Sequence, residues 1–321
     1  MKTNLKLASL LSFVIAMFML YGCSKSNQVA PSQPTGSTLN STADGQHVYG
    51  LLTMTPDMYA NIPVYSAEAF QSKFGEFSTT PPPTVLTLAT PAVRDQGQIG
   101  SCTAFCGTEA YEILYYYKNN GAFPPVLSPA FMYYEERVNI LRERISADNG
   151  AYMVDIDEVL EKYGICTEAL YTYPSSDRST AYKTPPTSAA ISNALNYKIS
   201  TYTLINTGDI AAVKNCLLNN IPVMMGLNVY DNTRTYQYFE NLNTTSNTYN
   251  PLTSTGALVK GVTLLGGHAT PIIGYDDTKQ AFKVQNSWGT SWGLNGFYYM
   301  PYSVFSSTKI VPQGGVYYAG I

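Results

Sequence analysis

The apolar pattern of the chain changes part-way along, and this change constrains the fold more than any other feature of the sequence. Patterns typical of helices come first, at about residues 102–119, 128–144, 155–163 and 209–219. Short runs rich in β-branched and aromatic residues follow, at about residues 222–229, 269–275, 281–285, 296–299 and 315–319. Helices followed by strands predict an α+β fold, because a parallel sheet would require the two element types to alternate.

Polar residues mark where two of these helices begin. Ser128 precedes Pro129, and a serine N-cap followed by proline at the first helical position is typical of a helix start. Thr207 or Asp209 is the corresponding cap of the last helix. Residues 231–261 form a long polar stretch between strands, and an irregular segment of that length is usually functional or mobile.

The first 22 residues have the pattern of a signal peptide. Two lysines precede a 14-residue apolar run, Leu7 to Leu20, which is shorter than the roughly 17 to 25 residues of a membrane-spanning helix. Gly22-Cys23 resembles the cleavage site of bacterial lipoproteins, which implies that Cys23 becomes the N-terminus and carries a lipid. We therefore expect an exported protein anchored to a bacterial membrane, at the outer membrane or cell surface. The alternatives are an uncleaved anchor and plain secretory cleavage.

Residues 23–80 are predicted to connect this anchor to the folded domain. From Ser24 to about Gln46 the chain is rich in Ser, Asn, Gln, Thr, Pro and Gly, a composition typical of a flexible tether. Residues 47–80 have more apolar content, including Tyr49 to Met54, and form either a short pro-segment or an arm packed on the domain. A run of prolines at residues 81–83 marks the start of the domain, which extends over residues 81–321.

The composition excludes several classes of function. Charged residues make up 13% of the chain and the net charge is −3, which does not favour a nucleic-acid partner. There is no CxxC pair, no histidine spacing typical of metal sites and no phosphate-binding loop, so we expect neither a metal nor a cofactor. If Cys23 is lipidated and Cys102 is catalytic, three of the five cysteines remain, and this odd number predicts no complete disulfide framework.

One cysteine stands where a helix begins. Cys102 follows the glycine-containing segment 97–101, and a thiol at a helix N-terminus meets free amides and a positive partial charge that favour the thiolate. Gln96 lies six residues earlier, so its amide has the reach to donate to an oxyanion formed at Cys102. On its own, such a cysteine is more often a small buried residue than a nucleophile.

A scarce histidine favours the nucleophile. The chain has two histidines, and His268 is the one within the predicted globular domain. It follows two glycines and enters an apolar strand, as a candidate general base for Cys102. Further on, Asn286 has an amide oxygen that can accept the imidazole N–H without removing its proton. Trp288 either shields that hydrogen bond from water or packs in the core.

These residues resemble the papain family of cysteine peptidases, over about residues 81–321. Residues 96–105 (QGQIGSCTAF) are similar to the family's nucleophile segment, and 268–275 to its histidine strand. Residues 286–296 (NSWGTSWGLNG) are the most specific match. The resemblance implies a papain-like two-lobed fold, in which a helical lobe carries the cysteine helix, a β-barrel-like lobe carries the histidine and asparagine, and the active-site cleft lies between them.

The resemblance also implies roles for individual residues. Cys102, His268 and Asn286 would be catalytic, while the Gln96 side chain and the Cys102 backbone N–H would hold the oxyanion, with Trp288 supporting the site. Residues 148–163 are similar to the family's cleft loop and the helix after it. By that match Gly150, Ala151 and Tyr152 line the acyl side of the cleft, N-terminal to the scissile bond, where Gly150 and Ala151 offer backbone to an extended peptide.

The sequence therefore predicts a cysteine peptidase that hydrolyses peptide bonds through a Cys thioester, as an endopeptidase on exported or environmental proteins. Its expected partners are a peptide or protein substrate and a membrane. Two alternatives remain open. One is an exopeptidase or transpeptidase using the same site, with residues 231–261 as a block at one end of the cleft. The other is a non-catalytic surface lipoprotein that binds peptides or glycans.

Overall fold

A computed structural model describes residues 39–75, 81–174 and 181–321. The predicted signal peptide, Cys23 and the tether up to residue 38 lie outside the described residues. The helices are α1 (Pro56–Tyr59), α2 (Ala67–Phe74), α3 (Cys102–Lys118), α4 (Pro129–Tyr134), α5 (Met153–Lys162), α6 (Ser188–Ala194), α7 (Ile210–Leu218) and α8 (Tyr302–Phe305). The strands are β1 (Val85–Thr87), β2 (Thr201–Leu204), β3 (Val223–Asn232), β4 (Val262–Asp276), β5 (Ala281–Gln285), β6 (Phe297–Pro301) and β7 (Val316–Gly320).

The strands form one antiparallel sheet in the order β2-β7-β3-β4-β5-β6, with β1 paired to the end of β4. Strand β4 is the longest, at 15 residues, and it pairs with β3 on one edge and β5 on the other. Helices and an antiparallel sheet in one compact unit confirm the predicted α+β class. No helix in the three described ranges has both the length and the apolar character needed to cross a membrane.

The long helices agree with the sequence pattern. Helix α3 begins at Cys102, as predicted. Ser128 caps α4, because its Oγ accepts the Phe131 N–H at 3.0 Å. Asp209, rather than Thr207, caps α7 by accepting the Ala212 N–H at 2.9 Å.

The sequence pattern missed the short elements. Helices α1, α2, α6 and α8 and strands β1 and β2 were not expected, since segments of three to eight residues give too few periods to detect. Helix α4 continues as a π-helix over Glu135–Ile140 and stops before residue 144. Strand β4 begins at Val262, seven residues earlier than expected, because its polar first half pairs with the end of β3.

Helix α3 lies between the two lobes. It packs against β3 and β4 on one side and against α4 and α5 on the other. All its residues from Cys102 to Leu114 are buried, as expected for a helix covered on every side. Its N-terminus, with Cys102, therefore meets the sheet where β4 carries His268.

The polar stretch 231–261 is organised around one buried carboxylate. Asp231 is fully buried and accepts the backbone N–H groups of Tyr238, Phe239 and Glu240 at 3.0, 2.7 and 3.0 Å. The Phe239 ring packs in the core, 5.3 Å from the Trp288 ring. The stretch thereby reaches the catalytic face of the sheet.

Candidate active site

Cys102 and His268 meet at the junction of α3 and β4. The backbone amides of Gly50, Thr103 and Ala269, the residue after His268, lie close enough to the Cys102 sulfur to lower the pKa of its thiol. His268 Nε2 lies 2.7 Å from Asn286 Oδ1. His268 Nδ1 has no hydrogen-bond partner among the described residues. The imidazole is therefore held at one nitrogen, while its other nitrogen is unpaired within the described ranges.

Aromatic rings surround the imidazole. The Trp288 ring lies 5.1 Å from that of His268 and is 2% exposed. The rings of Phe239 and Tyr49 lie 5.9 and 6.2 Å away. Both predicted roles of Trp288 are compatible with this position, because the ring is part of the core and also keeps water from the His268–Asn286 hydrogen bond.

Gln96 is held in place by the residue after Asn286. Its Oε1 accepts the Ser287 hydroxyl at 2.8 Å, which orients the Nε2 amide. That amide donates to the backbone carbonyls of Val48 and Ile99, both at 3.0 Å. A backbone carbonyl therefore already occupies the position predicted for the oxyanion of a substrate. The positioning role of Ser287 was not predicted, because a serine hydroxyl pairing across the fold has no local signature.

Residues 39–54, which we call the strap, run through the cleft. The Leu51 N–H donates to the Gly267 carbonyl at 3.0 Å, directly before His268. The strap also pairs with Ala151, whose N–H donates to Gly50 O at 3.0 Å and whose carbonyl accepts the Leu52 N–H at 2.9 Å. Leu51 and Ala151 thus form a parallel β-bridge. The apolar content of residues 49–54 was the one sequence signal for this segment.

The fit of the strap is closest at Gly50. A Cβ there would lie 2.0 Å from the Gly100 carbonyl oxygen. A Cβ on Gly150, whose φ is +80°, would lie 1.9 Å from the Gly50 oxygen. Beside it, the Leu51 side chain enters an apolar pocket, where a Cβ on Gly226 would lie 2.8 Å from both Leu51 Cδ2 and Met153 Cγ.

The three predicted cleft residues contribute differently. Ala151 pairs with a peptide through both its backbone groups. Gly150 lets the strap backbone approach closely but does not offer its amide to a peptide, because its N–H already donates to the Tyr133 hydroxyl at 3.1 Å. The Tyr152 N–H donates to Asp155 Oδ2 at 2.8 Å and thereby caps α5. The Gly150 N–H is therefore engaged within the domain, and the expectation that Gly150 offers backbone to a peptide stays a prediction.

Two acids outside the strap hold its upstream half. Glu240 Oε1 accepts the Tyr49 hydroxyl at 2.8 Å, and Glu240 Oε2 accepts the Ala43 N–H at 3.0 Å. His47 Nε2 lies 3.0 Å from Asp95 Oδ1, and the His47 ring stacks on Trp288 at 4.8 Å. The strap is thus bonded on both sides of Cys102.

Burial disfavours a charge on both Cys102 and His268 while the strap is in place. Burial raises the pKa of the Cys102 thiol to about 12, despite the amides that donate to the sulfur. Burial also lowers the pKa of His268 to about 4, against the hydrogen bond that Asn286 Oδ1 accepts from the ring, which raises it. The helix N-terminus was expected to favour the thiolate, but desolvation is the larger effect under the strap.

The four cysteine thiols in the described ranges all lie in the protein interior. Cys102, Cys106, Cys166 and Cys216 are buried free cysteines in the described ranges. Burial raises the pKa of Cys106 and of Cys216 well above the ordinary value, which makes them poor nucleophiles. The same ranges contain no group of three or more His, Cys, Asp or Glu side chains placed to hold a metal ion.

Comparison with known proteins agrees with this geometry. The family model described as Papain family cysteine protease matches residues 87–313. The chain belongs to this family. Xylellain, a cysteine protease from Xylella fastidiosa, has a similar structure, with a TM-score of 0.70, 28% identity, and coverage of 89% of this chain and 99% of that chain. The fold is thus papain-like.

Curated relatives come from eukaryotes and a virus. An uncharacterized peptidase C1-like protein of Acanthamoeba polyphaga mimivirus is 31% identical over 223 residues, which cover 67% of this chain and 66% of that protein. Cysteine proteinase 3 of Dictyostelium discoideum is 30% identical over 213 residues, 65% of this chain and 54% of that protein. The chain therefore spans about half to two thirds of the length of these relatives.

Proposed function

We propose that this protein is a cysteine endopeptidase with Cys102 as nucleophile and His268 as general base. One observation carries the proposal: the Cys102 sulfur contacts the amide next to His268, in a groove that holds an extended peptide segment. The position of His268 supports this role, because its Nε2 lies 2.7 Å from Asn286 Oδ1 and its Nδ1 has no hydrogen-bond partner among the described residues, so Nδ1 can accept the thiol proton.

In this mechanism Cys102 transfers its proton to His268 Nδ1, and the sulfur attacks the carbonyl carbon of the scissile bond. The Gln96 amide and the Cys102 backbone N–H stabilise the oxyanion. His268 then protonates the leaving amine, the C–N bond breaks, and a thioester remains. Finally His268 takes a proton from water, whose oxygen attacks the thioester and releases the acid product and the thiol.

The course of the strap supports endopeptidase activity. Peptide backbone continues from Gly50 in both directions, toward residue 39 on one side and residue 54 on the other. A chain thus passes Cys102 without meeting a closed end. The stretch 231–261 runs alongside the strap and bonds to it through Glu240, instead of blocking the groove.

The strap also supports a latent enzyme, because its own peptide bonds are poorly placed for attack. The group that reaches the Cys102 sulfur is the N–H of Gly50. The carbonyl oxygen bound by Gln96 belongs to Val48, two residues earlier. The peptide at the sulfur and the carbonyl in the oxyanion position are therefore different units, and attack at one does not place its oxygen in the other. Activity requires the strap to leave.

The test uses the parent chain and a strap-released Gly50→Ala chain, incubated with an unfolded protein and with a thiol-directed electrophilic peptide. We expect the released chain to cut at internal bonds and to be labelled at Cys102. Adding Cys102→Ala or His268→Ala should abolish cleavage, whereas Cys106→Ala, one turn along the same helix, should retain it. Removal of terminal residues alone would indicate an exopeptidase, and new peptide bonds a transpeptidase. Peptide binding without turnover would support the non-catalytic lipoprotein.

Export and anchoring form a separate part of the proposal. The motif Gly22-Cys23 after a short apolar run supports a lipid on Cys23 and attachment to a bacterial membrane, with exported or environmental proteins as substrates. Fractionation of cells that produce the parent and the Cys23→Ala variant tests it. The variant should leave the membrane fraction, and unchanged partitioning would refute lipidation at this residue.

A further inference from the structure

A cavity of about 380 Å³ lies beside Trp288, on the side of Cys102 away from Ala151. One wall is the strap, including Thr42, Asp44 and His47. The other wall belongs to the domain and is formed by the stretch 231–261 and the segment after Asn286. Its residues include Glu240, Asn241, Trp288, Ser291 and Trp292. Because Ala151 lies on the acyl side, this cavity lies on the side that receives the leaving group.

Glu240 is a fixed feature of this cavity. Its backbone N–H donates to the buried Asp231 carboxylate at 3.0 Å, and its carbonyl accepts the Trp292 indole N–H at 3.1 Å. Both backbone groups are therefore tied to the core, and the carboxylate projects toward the cleft. The backbone position of Glu240 is therefore set by the domain and not by the strap.

The strap shows what this carboxylate binds. Both of its oxygens accept hydrogen bonds from the strap, one from the Ala43 amide and one from the Tyr49 hydroxyl. Next to it, the His47 ring stacks on Trp288 and bonds Asp95. When the strap leaves, the carboxylates of Glu240 and Asp95 lose these partners and one face of the Trp288 indole loses the His47 ring. Among the described residues that line the cavity, the domain contributes no Lys or Arg to replace them.

We propose that Glu240 selects substrates with a Lys or Arg one or two residues after the scissile bond. A basic side chain supplies the donors that both Glu240 oxygens lose, and its cation stacks on Trp288 where the His47 ring lies now. The same negative charge disfavours acidic side chains and a free C-terminal carboxylate at this position. Cleavage therefore falls inside chains, before basic residues. This inference rests on the proposed peptidase activity.

The experiment uses the Gly50→Ala chain as the background. Its strap has already left the cleft, so a substitution at Glu240 cannot change the cleavage rate merely by loosening the strap. Three peptides share one acyl side and carry Lys, Gln or Glu at the first two leaving-group positions. We expect kcat/KM to be about 10-fold higher for the Lys peptide than for the Glu peptide. In Glu240→Gln the ratio should fall to near one, and in Glu240→Lys it should invert. Glu161→Gln, an exposed acid on α5, is the matched control and should keep the parent ratio.

The outcomes separate this inference from the proposed activity. Cleavage of none of the three peptides would refute the peptidase function itself. Equal cleavage of all three, or a Lys preference that persists in Glu240→Gln, would overturn the role of Glu240 and leave the peptidase function intact. Inversion in Glu240→Lys is a result that a merely structural role of Glu240 would not produce.

Discussion

The substitution Gly50→Ala should release the strap and expose the catalytic thiol. The added Cβ would lie 2.0 Å from the Gly100 oxygen and 2.3 Å from its carbonyl carbon. Both are backbone atoms that cannot rotate away, so the strap must move by about 1 Å or more to reach ordinary contact distances. A shift of that size breaks the bonds that Gly50, Leu51 and Leu52 make to the cleft.

The magnitude follows from these bonds. Three hydrogen bonds at about 0.5–1.5 kcal/mol each stabilise the strap by about 1.5–4.5 kcal/mol, so their loss should weaken strap binding by about 10-fold to 2,000-fold. A thiol with a pKa of about 12 is a thiolate in about one molecule in 10⁵ at pH 7. At the ordinary pKa of about 8.5 the thiolate fraction would be about 3%. Release of the strap therefore makes the Cys102 sulfur accessible and also increases the fraction of it that is thiolate.

The assay is the rate of Cys102 alkylation by iodoacetamide at pH 7, followed by peptide mass spectrometry. We expect the rate in Gly50→Ala to exceed that of the parent by at least about 100-fold. Thr53→Ala, an exposed position in the same strap, is the control and should label at the parent rate. Equal rates in Gly50→Ala and the parent, with the domain still folded by its melting temperature, would refute the assignment of the strap as the cover of the thiol.

Further perturbations test the site from other directions. A synthetic peptide with the sequence of the strap should inhibit the Gly50→Ala chain. A Leu51→Asp version of this peptide should bind at least about 10-fold more weakly, because it places a charge in an apolar pocket. Equal inhibition constants for the two peptides would contradict the presence of that pocket. Ser287→Ala should lower kcat by about 3-fold to 10-fold with little change in KM, because it frees Gln96 to rotate away from the oxyanion. A selective rise in KM would argue against this role. The Kd of the strap peptide should rise by about 10-fold or more from pH 7 to pH 4.5, measured by fluorescence titration, because the bound state holds His268 neutral.

The sign of this pH effect follows from three groups at the strap interface. With the strap bound, the pKa of His268 is about 4, so the open state binds the extra proton between pH 6.5 and 4 and the bound state loses stability there as pH falls. Burial raises the pKa of Asp95, but the hydrogen bonds from His47 and from the Gly97 amide, together with the charge on His47, outweigh it, and the net lowering acts in the same direction. Burial raises the pKa of Glu240, which opposes them. Tighter binding at pH 4.5 would show that Glu240 dominates.

Sequence patterns were sufficient to predict those structural features that are set by neighbouring residues. The start of α3 at Cys102, the caps Ser128 and Asp209, and the order of helices before strands are readable because each is set by residues within a few positions. Segments shorter than about two turns, such as α6, gave no usable period. The stretch 231–261 was recognised as irregular, but its organisation by Asp231 depends on a burial that no sequence pattern indicates.

The sequence by itself determined the chemistry on offer: one thiol at a helix start, one imidazole at the entry to an apolar strand, and an amide to orient it. Tertiary structure alone decided the state in which that chemistry is held. The hydrogen bonds between Leu51 and Gly267 and between Val48 and Gln96 join residues remote along the chain, and backbone groups that pair in this way carry no residue signature. The same cover reverses the electrostatics of Cys102, because the free energy of a charge depends on the water around it, and folding removes that water.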